Sequence, residues 1–462
     1  MFSTLNLLNS LSQSPEKFMT ISAPLVSLQA PKDVSIEEIE VELTQLWQNY
    51  RSDEGMSATR ATTFSFLVYE PDDSQALLGS LGFYSGPIDG IAGSRTTAAI
   101  RAAQKAYGFE ETGKLSPELL QKLREAWACQ TQGQGCQPLT YSADLSSAGV
   151  ADAIASSNPC RIITLCPTTG EDVGVSAQVS AYCPINKRGS STLICCEYIT
   201  LSGTAAALER IGGLITALMV RDLPKFIWWK AVPDSNYGLF QRLMAEADTL
   251  IVDSSEFLNA EVDLRVLCQL ISQGINVADL NWSRLAAWQE LTAAAFDPPE
   301  RRAAIWEVDH VTLNYEKGNA TQALMYMGWL MGRLNWDPTA IERESGDYEI
   351  HRLRFSDRQN KTITAELVGL PMADVGEVVG DLVSLKLTSS NLAADCCTVL
   401  CSETSGCMHM ESGGGAQACR IEQVTPLADQ KTDHLLGQQL QRWGKDVLYQ
   451  ETMAQVQAIL AL

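Results

Sequence analysis

The segment DCCTVLCSETSGCMHMESGGGAQACRIE, residues 395–422, gathers Cys396, Cys397, Cys401, Cys407 and Cys419 out of the 13 cysteines of a 462-residue chain. Two kinds of chemistry suit such a cluster. Cys397, Cys401, Cys407 and His409 are soft metal ligands close together in sequence. Structural zinc sites, however, use two well-spaced pairs such as C-x2-C, and this segment has none. A thiol–disulfide pair fits better. TVLC and CMHM flank SETSG, a connection containing Gly406 that reads as a β-hairpin turn. Such a hairpin is expected to set Cys401 across from Cys407, near the ~5.5 Å Cα separation that a disulfide needs. So short a loop removes little chain entropy, which makes the bond a weak staple and a suitable switch. The vicinal pair Cys396 and Cys397 ranks second, because its ring would be strained. The plain alternative is that all five are reduced structural thiols, cysteine being commonly buried. Asp395, Glu403 and Glu411 would raise nearby thiol pKa values and slow attack.

No second constellation points to catalysis. His310, His351, His409 and His434 are far apart in sequence. Asp309 beside His310 is an acid/base candidate, but an Asp-His pair on a strand is more often structural. No G-x-G-x-x-G follows a strand, and no G-x-S-x-G elbow occurs. Gly108 to Lys114 imitates the start of a phosphate loop. Leu115 then stands where a magnesium-binding hydroxyl is required, and no strand precedes it. The expectation is a chain with no catalytic residue, cofactor or metal. The run Phe226-Ile-Trp228-Trp229 is the candidate partner contact. Adjacent strand residues face opposite sides, so one indole is available as an anchor while the other is core.

These residues must be positioned by several elements. Residues 33–50 form an amphipathic helical pattern, and 62–70 reads as a strand. RIITLCP, STLICCEYITL, KFIWWKAV and TLIVDSS read as buried strands alternating with helices, which implies a mainly parallel sheet. From about 348, short alternating strands imply an antiparallel sheet, closed by a helix over 434–460. The expected class is therefore α/β and α+β multidomain. Its divisions are an N-terminal segment 1–71, a three-helix module 72–128, a Gln/Gly/Ser-rich linker 129–158, a central α/β domain 159–345, and a C-terminal β-rich domain 346–462.

In the three-helix module, Leu77, Leu78 and Leu81 form one helix face, and GFYSGPIDG supplies tight turns. Thr96 or Thr97 is expected to cap the second helix, with Ile100, Ala103 and Tyr107 facing inward. Ser116 caps the third, with Pro117 at its first position. This module resembles the peptidoglycan-binding-like domain family, which implies either wall binding or a compact module reused for protein contacts. The N-terminus lacks a basic region before a long apolar stretch, so export is not expected and the second reading is favoured. The formal net charge of −21 makes nucleic acid and anionic membranes poor partners.

The stretches NPCRIITL, LPKFIWWKAVP, ADTLIVDSSEF, DLNWSRLAAWQELTAAAFDPP and WLMGRLNW resemble, in order, the OpcA family of glucose-6-phosphate dehydrogenase assembly proteins. The similarity spans about 150 to the C-terminus, and the module at 74–127 resembles the N-terminal extension of cyanobacterial members. The resemblance implies a cytoplasmic, non-catalytic partner. It would bind the glucose-6-phosphate dehydrogenase oligomer, raise its activity in the oxidative pentose phosphate pathway, and answer to thioredoxin. The alternatives are an α/β enzyme whose site assembles from distant segments, and a wall-binding protein.

Overall fold

The computed structural model describes residues 25–51, 57–60, 62–85, 88–132, 160–169, 171–184, 192–299, 301–371, 378–391, 394, 396–403, 407–413, 420–426 and 431–462. Two sheets dominate it. The first comprises β1 (Leu25–Val34), β2 (Ser57–Arg60), β3 (Ser65–Tyr69), β4 (Arg161–Thr168), β5 (Ser176–Pro184), β6 (Thr192–Thr204), β7 (Lys225–Trp229), β8 (Thr249–Val252) and β9 (Val277–Asp279). Their spatial order is β1-β5-β6-β4-β3-β7-β8-β9, with β2 paired to β6. From β6 to β9 every neighbouring pair is parallel. Numbered by chain order, those six strands run 3-2-1-4-5-6, the doubly wound arrangement of dinucleotide-binding folds. The expected parallel sheet is present, and the strand expected at 62–70 lies at its centre.

A parallel sheet is covered on both faces, so its strands are apolar throughout. β3 and β8 are buried at every position, and β7 at all but the first. Successive side chains alternate between two cores. Trp229 stacks flat on Tyr69, centroids 3.7 Å apart, within the larger core. Trp228 stacks with Phe66 on the opposite face, beside Leu435 and Leu436 of the helix Thr432–Gln439.

At the other end of the sheet, a buried ion pair ties the N-terminal helix Ile39–Arg51 to the strands. Arg161 Nε donates to Glu197 Oε2 at 2.8 Å and Arg161 Nη1 to Glu40 Oε1 at 2.6 Å, while Trp47 Nε1 donates to Glu197 Oε1.

The second sheet has the order β11-β12-β13-β10-β14-β15-β16-β17. Its strands are β10 (His310–Glu316), β11 (Asp337–Ser345), β12 (Glu349–Ser356), β13 (Thr362–Leu370), β14 (Leu382–Thr388), β15 (Cys397–Glu403), β16 (Cys407–Gly413) and β17 (Arg420–Pro426). β10 runs parallel to β13, and the other neighbouring pairs are antiparallel. The helix Thr321–Leu334 is buried at nearly every position, because it packs against both β10 and the closing helix Val447–Leu460. Among the described residues no helix is long and apolar enough to cross a membrane.

The three-helix module is built from Ser74–Ser80, Ser94–Tyr107 and Pro117–Gln132. Leu77, Leu78, Ile100, Ala103, Leu119 and Leu123 form its core. Ser116 Oγ accepts from Leu119 N, as a cap should. The second helix begins earlier than expected, after Gly93. Thr96 therefore lies within it, buried, its hydroxyl donating to the Ile91 carbonyl at 3.2 Å. Gly108 ends that helix with a left-handed φ of 76°, so the phosphate-loop imitation is a helix–turn–helix connection. The module leaves the sheet after β3 and the chain returns as β4, so strands from both sides of it build one sheet.

Candidate functional site

In doubly wound sheets ligands bind beyond the carboxyl ends of the strands, where the chain reverses its winding direction. Here that point lies between β3 and β7. A crevice of about 350 Å³ opens there, lined by Glu70, Asp72, Lys230, Asp253, Glu256 and Phe257 among others. The turn after β3 reads Tyr69-Glu70-Pro71-Asp72-Asp73-Ser74, without glycine. A dinucleotide fingerprint needs glycines there so that backbone N–H groups can approach a pyrophosphate. Carboxylates in their place repel phosphate. Lys230 pairs with Glu70, and Asp72 is occupied by Thr169 N at 2.8 Å and Ser74 N at 3.1 Å. These residues do not fit a nicotinamide dinucleotide. Glu70 is only 3 % exposed, and its Oε2 has no hydrogen-bond partner among the described residues.

The module closes one side of this crevice. Tyr69 Oη donates to the Asp89 carbonyl at 2.9 Å, and Val232 N to the Ile88 carbonyl at 2.8 Å. The buried Gln75 holds the same loop. Its Nε2 donates to Asp89 Oδ1 and the Ile91 carbonyl, and its Oε1 accepts from Asp89 N and Gly90 N. The turn residues of the three-helix module thus rest on the strand ends of the chain's first sheet.

A second polar cluster lies between the two sheets. Arg284 clamps Asp253 through two 2.8 Å hydrogen bonds, both side chains being buried. Asp279 Oδ1 accepts from Ser254 N at 3.0 Å and Asn281 N at 2.9 Å. Asn281 Nδ2 donates to Thr321 Oγ1 at 2.8 Å, and Gln322 Nε2 donates to Asn281 Oδ1 at 2.8 Å and Asp381 Oδ1 at 2.6 Å. Asn319 Nδ2 donates to the carbonyls of Ser254, Ser255 and Phe257. Burial, and then the nearby Asp253 charge, push Asp279 up to about 6. Burial also raises Asp381. The polar atoms of this cluster answer one another, and Asp253, which accepts from Ser255 Oγ at 2.6 Å, is already clamped by Arg284. Its chemistry is that of a clasp joining the carboxyl ends of β8 and β9 to the helix Thr321–Leu334 and the start of β14. Sequence reasoning missed the clasp, although Asp253, Ser254, Asp279, Asn281 and Arg284 lie inside two of the stretches that carried the family resemblance.

The residues singled out from sequence are placed as follows. Phe226, Trp228 and Trp229 are 1 %, 3 % and 1 % exposed. Both faces of β7 are covered, so an exposed indole anchor at this strand is not what the fold presents. Asp309 accepts from Ser390 N at 2.8 Å, Ser390 Oγ at 2.5 Å and His310 Nδ1 at 2.7 Å. It pins a turn, consistent with the structural reading of the Asp-His pair. Cys396 is buried and Cys397 opens β15. β15 and β16 do form an antiparallel pair, but the register sets Cys401 opposite His409 and Glu403 opposite Cys407. Cys401 and Cys407 are two positions from direct opposition, so a bond between them would run diagonally across the ladder. The side chains of Cys397 and of 401–430, and Cys419 altogether, lie outside the described residues, as does 133–158 of the expected linker. Elsewhere, Cys195 on β6 is disulfide-bonded, and Cys160, Cys196 and Cys268 are buried thiols.

The chain matches three family models. Residues 151–269 match the N-terminal domain of the glucose-6-phosphate dehydrogenase subunit OpcA, 275–453 match its C-terminal domain, and 72–123 match a peptidoglycan binding domain. Three relatives carry the name "Putative OxPP cycle protein OpcA". The Synechocystis protein is 60 % identical over 452 residues, 96 % of this chain and 95 % of the relative. Those of Nostoc punctiforme and Synechococcus elongatus are 56 % and 47 % identical, covering 94 % and 96 % of this chain and 94 % and 99 % of their own lengths. Among solved structures, a dehydrogenase from Chromobacterium violaceum aligns at 12 % identity over 56 % of this chain and 83 % of its own, with a TM-score of 0.33, too low to bear on fold or activity.

Proposed function

This chain belongs to the OpcA family, and on that premise we propose that it is a non-catalytic protein that binds glucose-6-phosphate dehydrogenase and raises its activity. The observation that carries the reading is the match of 151–269 and 275–453 to both domains of the dehydrogenase subunit family. The crevice supports it independently. The fold has the strand order of a dinucleotide-binding domain, yet Glu70 and Asp72 stand where a pyrophosphate would have to lie. The protein therefore works on the pathway through another protein's active site, in the cytoplasm where that enzyme and its NADP are found.

The peptidoglycan-binding-like module serves as packing in this reading, because the loop through Asp89 and Gly90 is spent on the chain's own sheet. Regulation by thioredoxin acts on the 395–422 segment, with Cys401 and Cys407 as the first pair and Cys396 and Cys397 as the second. Closing the Cys401–Cys407 bond would require β15 and β16 to shift from the register that sets the two residues two positions apart, which couples thiol state to the geometry at the end of the second sheet.

The test is size-exclusion chromatography with light scattering on purified chain and dehydrogenase, alone and mixed. Co-elution at a defined mass ratio is expected. Separate elution at micromolar concentrations, in both oxidised and reduced buffer, would end this reading.

A further inference from the structure

The switch-point crevice is one end of a longer groove. Leu258 lines it together with two adjoining cavities of about 720 and 290 Å³. Leu258 and Val262 are 49 % and 50 % exposed, large apolar side chains standing beside one another on the rim. Carboxylates dominate the polar lining. Asp253 and Asp73 are neutralised by Arg284 and Arg124, but Asp72 and Asp234 bring charge that no ion pair among the described residues cancels. Burial, then the Asp253 charge, push Glu256 up to about 7, where an incoming cation would favour its ionised form. The buried Glu70 adds an oxygen, Oε2, that has no hydrogen-bond donor. An unanswered buried carboxylate oxygen is costly and calls for a donor from outside.

We infer that this groove, running from Glu70 past Glu256 to Leu258 and Val262, receives a basic segment of the partner protein. One lysine or arginine side chain enters the crevice toward Glu70 and Glu256, and an apolar neighbour covers Leu258 and Val262. The excess of carboxylates selects a cation, and the apolar rim and the length of the groove select a polypeptide over a lone metabolite. The inference rests on the proposed partnership with glucose-6-phosphate dehydrogenase and assigns its contact surface.

The experiment measures the Kd for the dehydrogenase at two salt concentrations, using the parent, Glu256→Lys, Leu258→Asp, and Glu344→Lys as a control on an exposed strand of the second sheet. Leu258 is about half exposed and Glu256 lies on the surface of its turn, and a thermal melt of each variant checks that it folds before its Kd is read. Each groove variant is expected to weaken binding at least ~10-fold, with a flatter salt dependence for Glu256→Lys, while the control stays within about 2-fold. Groove variants that bind like the parent, next to a parent that binds, would overturn the inference and leave the partnership standing. A parent that does not bind at all would remove both. Melts with millimolar Mg²⁺ or spermidine separate out a free cation. Stabilisation of the parent alone, lost in Glu70→Gln, would reassign the groove to a small cation and overturn the peptide reading.

Discussion

Gly90 carries the seam between the module and the sheet, and replacing it tests that seam. Its φ is +72°, and a Cβ built there lies 2.8 Å from Pro71 Cβ, 3.0 Å from Pro167 Cγ and 3.1 Å from Tyr69 Oη. Gly82, in the same turn-rich loop, has φ +79° with nothing within 4 Å of its Cβ. Alanine at either position meets the left-handed backbone penalty of about 1–2 kcal/mol. Only at Gly90 does it also meet ring atoms that cannot yield, an overpacking cost of about 1–3 kcal/mol. Pushing the loop away also forfeits the Tyr69–Asp89 hydrogen bond, a further ~1 kcal/mol. Gly90→Ala is therefore expected to exceed Gly82→Ala by about 2–4 kcal/mol. Native-state hydrogen exchange at the Gly90 and Asp89 amides, both donated to Gln75 Oε1, reads this locally. With ~1.4 kcal/mol per tenfold, exchange in Gly90→Ala should be at least ~30-fold faster than in Gly82→Ala. Equal exchange in the two variants would mean that the loop does not rest on β3 and β4 as described.

Three further perturbations follow from the same contacts. Trp228→Ala, which empties a site between β7 and Leu436, should cost about 3–5 kcal/mol in chemical denaturation; loss of partner affinity with unchanged stability would contradict its core placement. Asp279, held up to about 6 by burial, keeps its proton in the folded chain over a range where the unfolded side chain, near ~3.9, has lost it. Its contribution is present below about pH 4 and is lost as pH rises towards 6, an amount of ~3 kcal/mol. Asp279→Asn keeps the acceptor for Ser254 N and should flatten that fall in a pH series of melts; parallel curves would refute the assignment. Cys401→Ser and Cys407→Ser should abolish the redox sensitivity of dehydrogenase activation while leaving binding intact; variants that respond like the parent would direct attention to Cys396 and Cys397.

Local patterns were legible wherever the chain decides by itself. Alternation of apolar strands with amphipathic helices revealed the parallel sheet, and leucine spacing with Ser116-Pro117 revealed the third helix of the module. Long-range pairing was not legible. Nothing in TTFSFLVYE says that it inserts between β4 and β7, because any five buried residues satisfy that slot. For the same reason Trp228 and Trp229 looked like a surface candidate. Whether both faces of a strand are covered depends on helices hundreds of residues away, such as Leu436 on one side. The hairpin at 397–413 was readable, but its register depends on how many residues close the turn, and each added pair moves Cys401 relative to Cys407. The clasp of Asp253, Asp279, Asn281 and Gln322 was hidden because each residue looks like an ordinary strand-end or helix polar group until the two sheets meet.

The central claim is that this chain acts on glucose-6-phosphate dehydrogenase and has no reduction chemistry of its own. Titrating purified chain into a fixed amount of the dehydrogenase, and following NADP reduction at 340 nm with glucose 6-phosphate, tests it most directly. A saturable rise in kcat/KM, with no NADP reduction by the chain alone, is the predicted result. A flat titration in both oxidised and reduced buffer, or turnover by the chain without the dehydrogenase, would contradict it.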